Sequence, residues 1–145
     1  ERFKARFRGL FAYLLGLLSA LRKFEPFDAR LEIDGREVEA RLTIVSVANG
    51  QYIGGGMRVS PQADPGDGLI DVTYVEAVSR LRILTLLPRF IDGSYLRLPI
   101  AHAARAASVR ILSDEMIVQL DGELRCVPRA EYQILPGALR VACPR

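Results

Sequence analysis

The triplet Asp121-Gly122-Glu123 lies between two strand-like runs, Met116–Leu120 and Leu124–Val127. An Asp-Gly pair between such runs signals a tight turn, and a hairpin there holds two carboxylates at one strand end. A carboxylate fixed beside a reacting hydroxyl can accept its proton, and a second can tune the first or help hold a metal. Such triplets more often form solvated turns, so the neighbouring residues decide the reading. A second acidic group lies upstream, where Asp64, Asp67 and Asp71 fall within eight residues of a Gly- and Pro-containing stretch that starts at Ser60. Oxygen-rich loops with glycine suit Mg²⁺ or Ca²⁺, which take carboxylate and backbone carbonyl ligands. The spacing is not that of an EF-hand, which ends a longer loop with Glu.

The elements that must position these residues can be read from periodicity and turn residues. Leu31-Glu32-Ile33, Asp34-Gly35 and the alternation Val38, Ala40, Leu42, Ile44 predict a hairpin with a long second strand, more deeply buried near Val45 and Val47. Asn49-Gly50 precedes Gly54-Gly55-Gly56-Met57, a run with no helical or strand rationale that lets backbone approach a ligand or another chain. Leu69 to Val75 alternates as a strand. Ser79 is placed to cap a helix that runs to about Ile91, interrupted at Pro88 and ended by Asp92-Gly93. Val109–Leu112, Met116–Leu120, Leu124–Val127, Glu131–Leu135 and Leu139–Val141 read as short antiparallel strands. At the other end, Phe3, Phe7, Leu10, Leu14, Leu17 and Leu21 form the stripe of an amphipathic helix over about residues 2 to 22. That helix is basic, so membrane contact is a secondary role beside packing. These elements predict a mainly β, β-sandwich-like domain with one or two packed helices, its strands in two packed sheets.

The 145 residues fit one domain with a real core. A net charge of +3 is too small to argue for nucleic acid, and none is expected as a partner. The basic residues are 18 Arg against 2 Lys, a bias that phosphate recognition or a GC-rich genome would produce. Cys126 and Cys143 have no metal spacing and read as buried or incidental thiols in a reducing compartment. His102 has no second His to form a ligand set and reads as filler. The apolar run from Leu10 to Leu21 is too short to span a bilayer and lacks a cleavage site. The chain opens at Glu1 within a helical pattern, which reads as a piece of something longer.

Taken in order, Asn49-Gly50, Gly54-Gly55-Gly56-Met57, Pro61-x-Ala63, Asp67-Gly68-x-x-Asp71-Val72, Asp121-Gly122-Glu123, Leu135-Pro136-Gly137-Ala138-Leu139-Arg140-Val141 and Pro144 resemble one family. It is the C-terminal domain of the diacylglycerol kinase and sphingosine kinase superfamily, most like its bacterial lipid kinase branch. The resemblance covers nearly the whole chain. It implies a two-domain ATP-dependent kinase for a diacylglycerol-like lipid, in which residues 1–145 are the C-terminal lipid- and metal-binding domain. The nucleotide loop Gly-Gly-Asp-Gly-Thr of the N-terminal domain does not occur in this sequence, so the isolated fragment is expected to be inactive. By the resemblance, Asp121 is the general base on the lipid hydroxyl and Glu123 its acidic partner near the catalytic Mg²⁺. Asp67 supplies the carboxylate of a structural Mg²⁺ site completed by backbone carbonyls at Asp64 and Leu69. The implied location is cytoplasmic, peripheral at the inner face of the membrane, with lipid as substrate and a homodimer as an option.

One departure concerns Gly93-Ser94-Tyr95, which stands where the family often has Gly-x-His and leaves the role of this stretch open. The rival reading is a non-catalytic β-rich module that binds lipid or a partner. A third is a relative that phosphorylates NAD, whose glycine and acidic motifs differ from those here. Acceptor identity does not transfer with the resemblance, because lipid clefts are lined by generic apolar residues.

Overall fold

The computed structural model describes residues 21–22, 24–53, 56–120 and 122–139. Six strands, β1 (Phe27–Ile33), β2 (Arg36–Ala48), β3 (Ile70–Glu76), β4 (Ala101–Ala106), β5 (Ser108–Leu120) and β6 (Glu123–Gln133), accompany one helix, α1 (Arg80–Asp92). All neighbours pair antiparallel, in the order β4-β3-β2-β1-β5-β6. The domain is mainly β and sandwich-like, with one packed helix. The expected two sheets are joined into one among the described residues. The reason is length: β2 and β5 have 13 residues each and pair on both sides, so the hydrogen bonding is unbroken.

Two bulges re-aim the core face within these long strands. In β2 the register shifts between Leu42 and Ile44, and Thr43 sits at the shift. Its hydroxyl donates to Glu76 O and accepts from Val78 N, both at 3.0 Å. One extra residue inverts the side-chain alternation beyond it. Val38, Ala40 and Leu42 face the core before the bulge, and Val45 and Val47 face it after. Ile44, expected on the buried face, is therefore exposed. In β5 the shift lies between Leu112 and Met116, so Ser113, Asp114 and Glu115 stand opposite Pro128 of β6. Proline has no N–H for a ladder and belongs at such an irregularity. This bulge fuses the expected short strands pairwise, 109–112 with 116–120 and 124–127 with 131–135.

The main core gathers Leu31, Leu42, Val72, Val109, Ile111 and Met116 on one face of the sheet. β3 is buried on its other face as well, through Asp71, Thr73 and Val75. Tyr95, in the 3-10 turn Ser94–Arg97 after α1, reaches that second face and donates a hydrogen bond to Val59 O, with Thr73 Oγ1 at 3.1 Å. Its ring stacks on Phe90 of α1 at 4.2 Å between centroids. α1 starts as expected, with Ser79 Oγ accepting from Arg82 N, and ends at Gly93 in the left-handed region. Pro88 does not interrupt it. Pro88 is exposed, so water can satisfy the Leu84 carbonyl that proline cannot bond. β4, Ala-His-Ala-Ala-Arg-Ala, was not legible as a strand. Alanine carries little strand preference, and pairing with β3 decides the matter. The amphipathic helix expected over residues 2 to 22 falls almost entirely outside the described residues, as does most of the strand expected at Leu139–Val141.

The β1–β2 turn adds a cross-link. Asp34 and Gly35 both have positive φ, 46° and 80°, as a two-residue hairpin turn requires. The Asp34 carboxylate accepts the N–H groups of Ser108 and Ala107 at 2.9 to 3.1 Å and the Ser108 hydroxyl at 3.2 Å. The Ser108 and Ala107 amides hold this carboxyl below the usual carboxylate range. A depressed folded-state pKa stabilises the fold above the unfolded-state pKa, and the contribution is lost as pH falls through the folded value. Acidification should therefore cost wild type more thermal stability than it costs Asp34→Asn. Parallel melting curves from neutral to strongly acidic pH would remove this carboxylate from the acid response.

Candidate active site and cation loop

β5 and β6 are in register up to Leu120↔Glu123, so two residues, Asp121 and Gly122, link them as the Asp-Gly signal predicts. Gly122 has φ 96°, a conformation that side chains rarely adopt. Asp121 itself lies outside the described residues. Glu123 is at the turn end of the hairpin, three-quarters exposed, and its carboxylate meets Arg125 Nη2 at 3.2 Å. An exposed pair of this kind holds a carboxylate only weakly, leaving it able to turn to another cation. The hairpin tip is also apolar: Ile117 is 76% exposed and Leu124 69%, with Leu120 exposed between them.

The second acidic group is built from turns. Asp64 Oδ1 accepts Gly66 N at 2.8 Å, and Asp67 Oδ1 accepts Leu69 N at 2.9 Å. Asp67 N reaches Asp64 O at 3.3 Å. Asp64, Asp67 and Leu69, singled out by resemblance, are thus brought together in one loop. Asp67 Oδ2 meets Arg105 Nη1 at 3.3 Å. Asp71 follows on β3, 4% exposed, and its Oδ2 has no hydrogen-bond partner. Burial pushes the Asp71 carboxyl up, Arg105 pulls it down, and Asp67 pushes it further up. Among the described residues no three His, Cys, Asp or Glu side chains converge as a metal cage. A hard cation here would rest on one carboxylate, Asp67, with carbonyl oxygens beside it. The donors are all oxygen and a buried carboxylate oxygen stands unsatisfied nearby, so the loop fits Mg²⁺ or Ca²⁺ of that kind.

The loop and the hairpin tip are separate places. Asp67 lies beside Arg105 at the end of β4, which leads directly into Ser108 of β5, and Gly68 lies against Pro136, beyond β6. The tip is at the far end of β5, about 40 Å of extended chain away at ~3.3 Å per residue. The structure does not bring Asp67 to Glu123.

Three further positions differ from the reading or were missed by it. Tyr95, in the Gly-x-His position, is 1% exposed and ties the turn after α1 to Val59 and Thr73, so here the stretch is a packing anchor. Its aromatic character and the helix-ending Gly93 were the available signals. Of the two alternatives read for Cys126, buried or incidental, burial does not hold: it is exposed and lies 3.1 Å from Glu115 Oε1, a contact that pushes its thiol pKa up. His102 is paired, with Nε2 2.9 Å from Glu76 Oε1 and its ring stacked on Tyr74. Of the glycine run, Gly54 and Gly55 lie outside the described residues. Ile53 and Met57 on either side exchange two backbone hydrogen bonds, at 2.9 and 3.1 Å, which close the loop.

The described residues form a one-sheet, sandwich-like β domain that carries a two-residue hairpin and an oxygen-rich loop. Residues 2–143 match the family described as the YegS C-terminal NAD kinase beta sandwich-like domain. The chain belongs to that family, within the bacterial lipid kinase superfamily. It is 34% identical over 138 residues to a diacylglycerol kinase of Mycobacterium tuberculosis, covering 94% of this chain and 45% of that protein. It is 31% identical over 146 residues to a probable lipid kinase YegS-like protein of Xanthomonas oryzae pv. oryzae, covering 99% and 47%. A crystal structure from Bacillus anthracis str. Sterne superposes with a TM-score of 0.63 at 26% identity, over 83% of this chain and 43% of that one. The chain thus spans under half the length of these relatives.

Proposed function

We propose that this chain is the C-terminal half of an ATP-dependent kinase that phosphorylates a diacylglycerol-like lipid hydroxyl. What supports the reading is the family's acidic turn, set on a two-residue hairpin whose flanking side chains, Ile117, Leu120 and Leu124, are apolar and exposed. Solvent-facing leucines beside two carboxylates suit an acceptor with an acyl body and a polar hydroxyl. Asp121 accepts the hydroxyl proton as the oxygen attacks the γ-phosphorus of ATP, whose bond to the bridging oxygen breaks to release ADP. Glu123 exchanges Arg125 for a more demanding partner at the reacting centre. Mg²⁺, when bound, neutralises charge on the phosphates. The nucleotide is held mainly by the N-terminal part of the longer protein. Among the described residues no helix is long and apolar enough to cross a membrane. Lipid is reached from the surface, with the protein peripheral at the inner face of the membrane.

The test uses the full-length protein, with ATP, Mg²⁺ and diacylglycerol in mixed micelles. Phosphorylated lipid is the expected product. Its absence across diacylglycerol, phosphatidylglycerol and sphingoid acceptors would favour the non-catalytic module. Mg²⁺ should also raise thermal stability through Asp67, since a ligand bound only by the folded state adds about 2.7 kcal/mol at a hundredfold excess over Kd. Asp67→Ala should abolish that response and lower activity. Melting curves of wild type and Asp67→Ala that answer Mg²⁺ identically would make the loop a turn and nothing more.

A further inference from the structure

We infer that Arg105 is a displaceable counter-ion of the acidic loop, which leaves Asp67 for Asp71 when a divalent cation binds. The inference rests on the reading of Asp67 as a cation ligand. One oxygen of Asp67 already accepts the Leu69 amide at 2.9 Å, so a cation is better served by the other, which Arg105 holds. A guanidinium and a divalent cation cannot share that oxygen without strong like-charge repulsion. The hold is loose. At 3.3 Å it is longer than a strong charge-assisted bond, and half of the Arg105 side chain stays in water. Release is therefore inexpensive, provided the guanidinium has somewhere to go.

Asp71 supplies the place. It pairs with Arg105 directly across the β3–β4 ladder. Directly opposed side chains project to the same face, within reach of each other. Asp71 is nine-tenths or more buried and one carboxylate oxygen is without a partner, a state that native proteins seldom leave uncompensated. The carboxylates of Asp64, Asp67 and Asp71 outnumber the one guanidinium of Arg105, so the loop carries excess negative charge, which favours an added cation. Moving Arg105 to Asp71 frees Asp67 and satisfies the buried oxygen in one step.

The experiment titrates Mg²⁺ alone into the full-length protein and follows thermal shift. Arg105→Gln removes the competitor and should lower the half-saturating Mg²⁺ concentration roughly two- to five-fold, the scale of an exposed charge pair. Asp71→Asn keeps the shape but gives the displaced guanidinium a poorer acceptor, so half-saturation should rise. In the double variant Asp71→Asn should have no further effect, because there is no guanidinium to receive. A double-mutant cycle with additive effects, or an unchanged half-saturation in Arg105→Gln, overturns the inference. If Asp71→Asn does not fold, the Arg105→Gln titration alone decides. A Mg²⁺ response indifferent to Asp67→Ala would instead sink the parent reading, and the two failures are thereby distinguished.

Discussion

Asp121→Asn in the full-length protein is expected to lower kcat by about 10²–10⁴-fold, the usual contribution of general acid–base catalysis. The substitution keeps the size and the turn preference of the residue while removing the basic lone pair. Hairpin geometry should survive, because the turn depends on the left-handed backbone at Gly122 and on the pairs from Leu120↔Glu123 onward. ATP affinity should change little if, as proposed, the nucleotide is held mainly by the N-terminal part of the longer protein. The informative pattern is a fall in kcat with an unchanged KM for ATP, which marks an interaction realised in the transition state. Glu123→Gln should also cost activity, by losing an acidic partner that the exposed Arg125 pair does not immobilise. A folded Asp121→Asn enzyme that keeps more than about a tenth of wild-type kcat would move the base elsewhere in the protein.

Gly93→Ala is expected to destabilise the fold by about 2–4 kcal/mol, through two effects that add. Gly93 has φ 79°, where a Cβ is strained, and that Cβ would sit 2.5 Å from Pro61 Cγ and 3.1 Å from Arg58 O. Neither neighbour yields easily, one being a ring and the other backbone. Gly35→Ala separates the two effects. Its φ of 80° is nearly the same, but a Cβ there meets nothing within 4 Å. It should lose only the backbone part, about 1–2 kcal/mol. Denaturant midpoints at unchanged m-value would measure both. Equal losses would mean that the contact with Pro61 contributes nothing to stability.

Much of the fold was legible because its signals are local. Asp34-Gly35 and Asp121-Gly122 mark hairpins by turn chemistry, and Ser79 and Gly93 mark a helix by capping. Three features were not legible, and each depends on a distant partner. The alternation in β2 reads as unbroken through Ile44, and only the Thr43 hydrogen bonds to Glu76 and Val78 reveal the bulge. The break in β5 is explained by Pro128, which sits on another strand. Alanine-rich β4 becomes a strand because β3 offers it an edge. The acidic loop was legible as a group of oxygen donors, from Asp64 and Asp67 spaced by Gly and Pro. What sequence did not reveal was Arg105, 38 residues beyond Asp67 along the chain. The acidic pair at Asp121 and Glu123 was legible as a turn, while its assignment to chemistry rests on resemblance.

The length of β5 sets a limit on how such a protein can change over evolutionary time. Its 13 residues carry core side chains along most of their course, and a single insertion would turn the residues beyond it from inside to outside. An insertion or deletion in the strand would therefore be costly, and the spacing from acidic loop to hairpin tip is hard to change. If the tip recognises the acceptor as proposed, novelty there comes by exchange of side chains such as Ile117 and Leu124. These are already solvent-facing, so altering them leaves the core untouched. Specificity can drift at one end of the strand while the stability determinants at the other end stay under separate selection.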